Sequence, residues 1–165
     1  MNRAMSVEGA RYRVAGFWRR ALAGAVDALA LVPLTLLFGG VALMAGGRPL
    51  PRPSELGLGY AVDLALSGGA SGAAALLMAA IVVALYFFIF HALRGQTPGK
   101  RLLGLRVIDA WGERPSVLRA LLRTIAYLPS ALLFSLGFLW IGFDREKRGL
   151  HDWLAGTYVI VGGRP

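Results

Sequence analysis

The sequence predicts an all-α membrane protein with three hydrophobic helical segments and a small cytoplasmic β element. Of its 165 residues, 56% are hydrophobic and only 16% are charged, whereas an average soluble domain has about 45–50% apolar and about 25% charged residues. Three long apolar runs follow one another along the chain. The net charge of +9 would suggest nucleic acid binding in a soluble protein, but the composition favours a membrane protein with cationic loops. The length indicates one domain over residues 1–165.

Each of the three apolar runs has the length of a membrane span, which needs about 20 apolar residues. The first, Ala21–Ala45, contains a single charged residue, Asp27. The second, Gly72–Ala92, and the third, Thr124–Phe143, contain none. We predict that all three are helical and that the first is retained, because it is longer than the apolar region of a cleavable signal peptide.

The distribution of Lys and Arg predicts the orientation of the chain. The arm 1–20 carries five of them and the connection 93–123 carries seven, whereas the Pro/Gly-rich loop 46–71 carries two. By the positive-inside rule, the arm and the connection are cytoplasmic and the loop is external. One short helical turn is expected in the loop.

The side of the C-terminal tail depends on the third segment, which either crosses once or returns as a short re-entrant hairpin. Leu102–Asp109 and Thr157–Val161 have the β-branched composition of strands. They are predicted to pair with each other or with Glu113–Val117, which requires the same side of the membrane. Strand pairing and charge both favour a cytoplasmic tail.

Asp27 is the first candidate functional residue. It lies seven residues after Arg20, hence on nearly the same helix face and about 10 Å deeper. Small residues surround it, which allows another helix to approach closely. An acid inside a span is costly unless it is paired, protonated or turned towards protein. Asp27 is therefore either an ion or proton site or part of an internal salt bridge that fixes helix packing.

The second connection supplies candidates for contact with anionic lipid headgroups. The segment RGQTPGKRLLG is not a phosphate-binding loop, because three residues rather than four separate Gly95 from Gly99 and an arginine follows the lysine. Two interpretations of this segment are equally compatible with its sequence: a turn that contacts anionic lipid at the inner surface, or simply a turn that leads into the strand. A helix N-capped by Ser116 follows, with two arginines four residues apart. The headgroup candidates are Thr97, Lys100, Arg101, Arg119 and Arg123.

The chemistry of an enzyme is not readable in this sequence. Cysteine is absent and only two histidines occur, His91 and His151. No Ser/His/Asp set, paired-carboxylate site or metal-ligand pattern can be assembled from the motifs. We expect no catalytic activity, no metal, no cofactor and no nucleic acid partner.

Four motifs, in this order, resemble the RDD family of bacterial membrane proteins. They are the Arg20…Asp27 helix start, GQTPGKRLLGLRVID, WGERPSVLRALLR and DREKRGLHDWLAGTYVIV. The resemblance covers nearly the whole chain apart from the variable loop 46–71. It implies the inner membrane of a bacterium as the location. It also implies a polar set of one arginine and two aspartates, which map onto Arg20, Asp27 and Asp152. The activity of the family is generally unassigned, and transport of unknown ligands has been suggested.

Two functions are compatible with these features. The first is a transport or ion-exchange component that uses the Arg20/Asp27 pair, with Asp152 joining so that the arginine lies between two carboxylates. Three apolar segments are few for a conduit, so this function needs a homo-oligomer or a membrane partner. The alternative is a non-catalytic adaptor or scaffold that binds a partner protein or anionic lipid through its basic cytoplasmic face.

Overall fold

A computed structural model describes residues 4–7, 10–132, 140–141, 143–144 and 146–162. Two long helices dominate it, α1 (Phe17–Ala45) and α3 (Gly69–Arg94). The other helices are α2 (Leu58–Ser67), α4 (Pro98–Leu102), α5 (Val117–Ile125), α6 (Tyr127–Leu132) and α7 (Leu150–Ala155), with a 3₁₀ turn at Pro53–Glu55. The strands are β1 (Ala4–Val7), β2 (Ala10–Val14), β3 (Leu105–Asp109) and β4 (Thr157–Val161).

The helices α1 and α3 confirm the first two predicted helical segments. They contain 29 and 26 residues, and about 20 suffice to cross the apolar core of a bilayer. In their most apolar stretches only 11% and 6% of the residues are buried within the protein. A core helix of a soluble protein would be mostly buried, so these exposed apolar surfaces indicate a membrane protein.

The third predicted segment, Thr124–Phe143, differs from the first two in its described part. It begins in α5, which has 9 residues, and continues in α6, which has 6. Neither helix is long enough to span a membrane alone. Residues 133–139 and 142 lie outside the described residues, and so does the choice between a crossing and a return.

The sheet contains the two predicted strands and two more. Its order is β1-β2-β4-β3 with antiparallel neighbours, and Val107 lies opposite Val159. The prediction that these two runs pair with each other is confirmed. The alternative partner, Glu113–Val117, was wrong, because it is not a strand: the chain turns after β3, where the Asp109 N–H donates to the Glu113 carbonyl at 2.9 Å, and Val117 begins α5. The strand also begins three residues later than predicted, after a turn in which Gly104 has a φ of 64°.

Residues 1–28 and 86–165 form one compact unit. Its apolar core joins the start of α1 to the sheet, with Ala15, Ala23, Leu105, Val107 and Val159 each fully buried. Alanines on this side let the helix backbone lie close to the strands. The predicted N-cap is also confirmed, since the Ser116 hydroxyl accepts the Arg119 backbone N–H at 3.3 Å.

Residues 29–85 form a second compact unit. Its core cluster contains Leu43, Leu64 and Ala75. The loop 46–71 was expected to hold one short helical turn, but α2 within it has 10 residues. Leu64 is the buried residue of this helix and packs in the same cluster as Leu43 and Ala75, so that burial of one face stabilises α2.

We predict that Gly46→Ala destabilises the second unit. A Cβ atom at Gly46 would lie 2.3 Å from the Ser71 Cβ, and overpacking of this kind typically costs about 1–3 kcal/mol. Gly59→Ala is the control, because its Cβ would meet nothing within 4 Å and alanine favours the helix by about 0.5–1 kcal/mol. In detergent, the midpoint temperature of thermal unfolding should be lower than that of the wild-type protein for Gly46→Ala but not for Gly59→Ala. Equal midpoints for the two variants would contradict the packing described.

Candidate functional site

Asp152 is the centre of the polar cluster in the first unit. It occupies the third position of α7 and is completely buried. Its Oδ2 accepts a hydrogen bond from Arg20, and its Oδ1 accepts one from Arg123. The backbone N–H of Gly149 also donates to Oδ2 at 2.9 Å. One carboxylate thus links the first turn of α1, the second turn of α5 and the start of α7, and we call this set the Asp152 bridge.

The two guanidinium groups use their remaining donors within the protein. Arg20 donates to the carbonyls of Ala15 at 3.1 Å and Lys147 at 2.6 Å. Arg123 donates to the hydroxyls of Thr157 at 2.6 Å and Tyr127 at 3.2 Å. Charged donors of this kind make strong hydrogen bonds when the acceptor is fixed. The bridge is therefore held by oriented neighbours as well as by charge.

Electrostatics keep the bridge ionised. Burial alone would raise the pKa of Asp152, but the positive charges of Arg123 and Arg20 outweigh burial and hold it well below its usual range. Burial alone would lower the pKa of Arg123, but the Asp152 carboxylate and Tyr127 raise it above its usual value. A carboxylate between two cations therefore stays charged at any physiological pH.

Asp27 belongs to a second set of contacts on α1. It is 1% exposed and accepts three hydrogen bonds from uncharged donors: the Thr97 hydroxyl at 2.5 Å, the Gly99 backbone N–H at 2.7 Å and the Tyr86 hydroxyl at 2.9 Å. A Cβ at Gly99 would lie 2.1 Å from the carbonyl oxygen of Ala23. Only glycine lets α4 approach α1 closely enough for these bonds to form.

Lys100 is a buried amine beside this second set. Its Nζ lies 2.8 Å from Nε2 of His91 and 6.0 Å from the centre of the Phe87 ring. Arg20 and Arg123 both form ion pairs with Asp152. Within the described part of the chain, Lys100 forms none. Burial, together with the charge of Arg123, lowers the pKa of Lys100 to about 7, although Asp27 opposes the shift. This lysine can therefore exchange its proton near neutral pH.

His151 lies against the bridge. Its Nε2 is 3.7 Å from Oδ1 of Asp152, and its ring centre is 4.8 Å from that of Tyr127. Burial lowers the pKa of His151 to about 3 despite the nearby carboxylate, so the ring is uncharged at neutral pH. Among the described residues, no three His, Cys, Asp or Glu side chains come together as metal ligands.

The structure rearranges the predicted polar set. Arg20 and Asp152 lie together, but Asp27 is bonded to Thr97, Gly99 and Tyr86 rather than to Arg20. The predicted picture of one arginine between two carboxylates is thereby reversed, because one carboxylate lies between two arginines. The cause is Arg123, which sequence analysis assigned to lipid and which the fold turns towards Asp152.

Most of the predicted headgroup contacts lie inside the protein. Thr97, Lys100 and Arg123 are buried, so as placed here they do not face a lipid surface. Arg119 is partly buried and donates to the Gly156 carbonyl at 2.8 Å. Arg101 alone among these five candidates is exposed. Tyr86 and His91 were not predicted as part of the site, since a single tyrosine or histidine in an apolar run carries no pattern that would indicate a polar contact.

Comparisons with known proteins give one family model and several uncharacterized relatives. The model of the RDD family matches residues 14–156. The chain is 43% identical over 77 residues to the uncharacterized protein YxaI of Bacillus subtilis, covering 46% of this chain and 50% of that protein. It is 36% identical over 76 residues to an uncharacterized protein of Rickettsia prowazekii, covering 46% and 42%. The matches thus span half or less of the length of these relatives, and no solved structure matches the chain.

We predict that Asp152→Asn strongly destabilises the protein. Removing the carboxylate leaves two buried cations without a counter-charge, and breaking a buried pair in this way typically costs about 3–5 kcal/mol. Glu146→Gln is the matched control, because Glu146 pairs with Arg148 at 2.5 Å with half of its side chain exposed, and such pairs contribute little. Denaturant unfolding in detergent should separate the two variants. Similar unfolding midpoints would contradict the bridge.

We also predict a pH dependence of stability due to Lys100. Because its pKa falls from 10.5 in the unfolded chain to about 7 in the fold, the unfolded state binds more protons between these values. The free energy of unfolding therefore increases as the pH rises from 7 towards 10.5. Lys100→Met should lose this increase. The midpoint of thermal unfolding is measured at neutral pH and at about pH 9 for the wild-type protein and for Lys100→Met. The same change of midpoint with pH in both proteins would contradict the prediction.

Proposed function

This chain belongs to the RDD family, and we propose from that premise that it is a transport or ion-exchange component of the bacterial inner membrane, with Lys100 as its proton-exchanging group. The observation that carries the proposal is the buried Lys100 amine, which lies 2.8 Å from His91 and has no carboxylate partner among the described residues. Buried groups with strongly shifted proton affinity cluster at functional sites.

Membrane placement is supported by α1 and α3, which are long and apolar enough to span. The orientation follows from charge, because residues 93–123 carry seven Lys and Arg and residues 46–71 carry two. With the positive residues inside, the N-terminus is cytoplasmic. The cluster then lies at the cytoplasmic ends of both helices, where a proton can enter from water.

The charge balance of the cluster explains why Lys100 is the exchanging group. Three buried cations, Arg20, Arg123 and Lys100, accompany two buried carboxylates, Asp27 and Asp152. Both arginines are bound to Asp152 and remain charged. Protonated Lys100 therefore gives the cluster one excess positive charge, and its deprotonation brings the net charge to zero. After Lys100 has lost its proton, the cluster can therefore bind one other cation without exceeding its earlier net charge.

Asp27 couples this exchange to α1. The Thr97 hydroxyl that binds Asp27 also accepts the backbone N–H of Lys100 at 3.3 Å, so α4 connects the amine to the carboxylate. A change in charge at Lys100 alters the field at Asp27 and at its hydrogen bonds to α4. Two long apolar helices are few for a complete conduit, so the proposal includes assembly into a homo-oligomer.

A flux assay in proteoliposomes tests the proposal. With an entrapped pH-sensitive dye and an imposed pH gradient, addition of NaCl or KCl should dissipate the gradient in vesicles with the wild-type protein. We expect Lys100→Met to lower that rate at least about tenfold, since the group that exchanges the proton is gone. The control Arg94→Gln removes an exposed cation at the end of α3 and should leave the rate unchanged.

Two outcomes would contradict this function. One is a wild-type rate no higher than that of empty vesicles. The other is an undiminished rate in Lys100→Met vesicles that contain the same amount of folded protein, as judged by size-exclusion chromatography.

The second candidate is a non-catalytic adaptor or scaffold. It is favoured by the complete hydrogen bonding of Asp152 and Asp27, which is what a structural joint between helices requires. Such a protein would bind a partner or anionic lipid through exposed cations such as Arg13 and Arg101. It predicts no ion flux. Charge reversal at those two positions would then reduce recovery of the partner or of anionic lipid, whereas Asp27→Asn would mainly lower stability.

A further inference from the structure

Helix α5 has its polar face inside the protein and its apolar face outside. On the inner face Arg123 is 1% exposed, and Ala120 and Thr124 are buried. On the outer face Leu118 is 65% exposed. The large apolar residues exposed on this helix are Val117, Leu118, Leu121, Leu122 and Ile125. A surface helix of a soluble protein has the opposite orientation.

The inward polar face is stabilised by specific partners. Arg123 binds Asp152 and Thr157. Arg119 donates to the Gly156 carbonyl at 2.8 Å. These contacts fix the rotation of α5, because turning it to bury the leucines would pull both arginines from their acceptors. The apolar face is therefore directed outwards by the fold itself and needs a cover.

The depth of α5 is set by the Asp152 bridge. Since Arg20 and Arg123 bind the two oxygens of one carboxylate, the second turn of α5 is level with the first turn of α1. The loop before α5 lies at the end of α3, where Arg114 donates to the Leu93 carbonyl at 2.6 Å. The start of one candidate span and the end of the other mark the boundary between headgroups and acyl chains, so α5 lies at that boundary.

The tryptophans mark the same boundary. The chain has four, and all of them are more than half exposed: Trp18, Trp111, Trp140 and Trp153. Tryptophan is enriched at membrane interfaces, where its ring meets both acyl chains and headgroups. The Arg119 guanidinium lies 4.8 Å from the Trp111 ring and that of Arg148 lies 4.2 Å from Trp153. At such an interface, the guanidinium groups can bind lipid phosphates while the rings contact the acyl chains.

We propose that α5 is an interfacial membrane helix that docks on lipid at the boundary between headgroups and acyl chains. Its 9 residues extend only about 13 Å, so it lies in the interface rather than across the bilayer. Its leucines enter the acyl region to a depth of about 5–10 Å, as amphipathic helices do. The lipid surface on α1 thus continues onto α5 and surrounds the Asp152 bridge with apolar material.

Spin labelling tests this proposal directly, because the chain contains no cysteine. Single cysteines replace Leu118 on α5, Leu36 on α1 as the lipid reference and Arg13 on β2 as the water reference, each exposed. In proteoliposomes, collision of the label with oxygen, which dissolves in lipid, is compared with collision with a water-soluble nickel chelate. We expect the Leu118 label to resemble the Leu36 label, with an oxygen-to-nickel collision ratio severalfold above that at Arg13.

Two results would overturn the proposal. A ratio at Leu118 equal to that at Arg13 would place α5 in water. Shielding of the Leu118 label from both reagents would show that a second copy or another protein covers the helix. A second label at Ile125, which is also exposed, must give the same result as Leu118, and normal elution of each labelled protein in size-exclusion chromatography shows that it is folded.

Discussion

The rest of the first unit depends on the buried ion bridge from Asp152 to Arg20 and Arg123. Removing three charged groups from water is costly, and their attraction offsets that cost only when every remaining donor and acceptor is satisfied. Here the arginines also donate hydrogen bonds to backbone carbonyls and to the Thr157 hydroxyl, and Asp152 accepts one from the Gly149 N–H. Because Arg20, Arg123, Asp152 and Thr157 belong to α1, α5, α7 and β4, the geometry of one carboxylate fixes the mutual placement of four elements.

This constraint explains why polar groups are central and apolar groups peripheral in the first unit. The arginines of α5 must point inwards to reach Asp152, so the leucines of the same helix point outwards. The apolar faces of α1 and α3 are exposed in the same way, with only 11% and 6% of their most apolar stretches buried. Such an arrangement is stable where lipid replaces water at the surface.

The sequence predicted those features that depend on local pattern. Apolar length indicated α1 and α3, β-branched composition indicated the pairing of β3 with β4, and the spacing after Ser116 indicated a capped helix. Contacts between residues far apart in the chain could not be predicted from local sequence patterns. Nothing local marks Arg123 as the partner of Asp152, since the two are 29 residues apart, and its arginine pattern fits a lipid contact equally well. The bond from Thr97 to Asp27 spans 70 residues and requires the close approach that only Gly99 permits. The strands β1 and β2 were missed because the arm was assigned by its charge alone.

A double-mutant cycle between Asp152 and Arg123 tests the central claim most directly. The free energy of unfolding is measured for the wild-type protein, Asp152→Asn, Arg123→Met and the double variant. If the bridge is a coupled ion pair, the loss in the double variant is smaller than the sum of the single losses, by about 0.5–3 kcal/mol. Losses that add to within about 0.5 kcal/mol would show that the two side chains act independently, and would contradict the account.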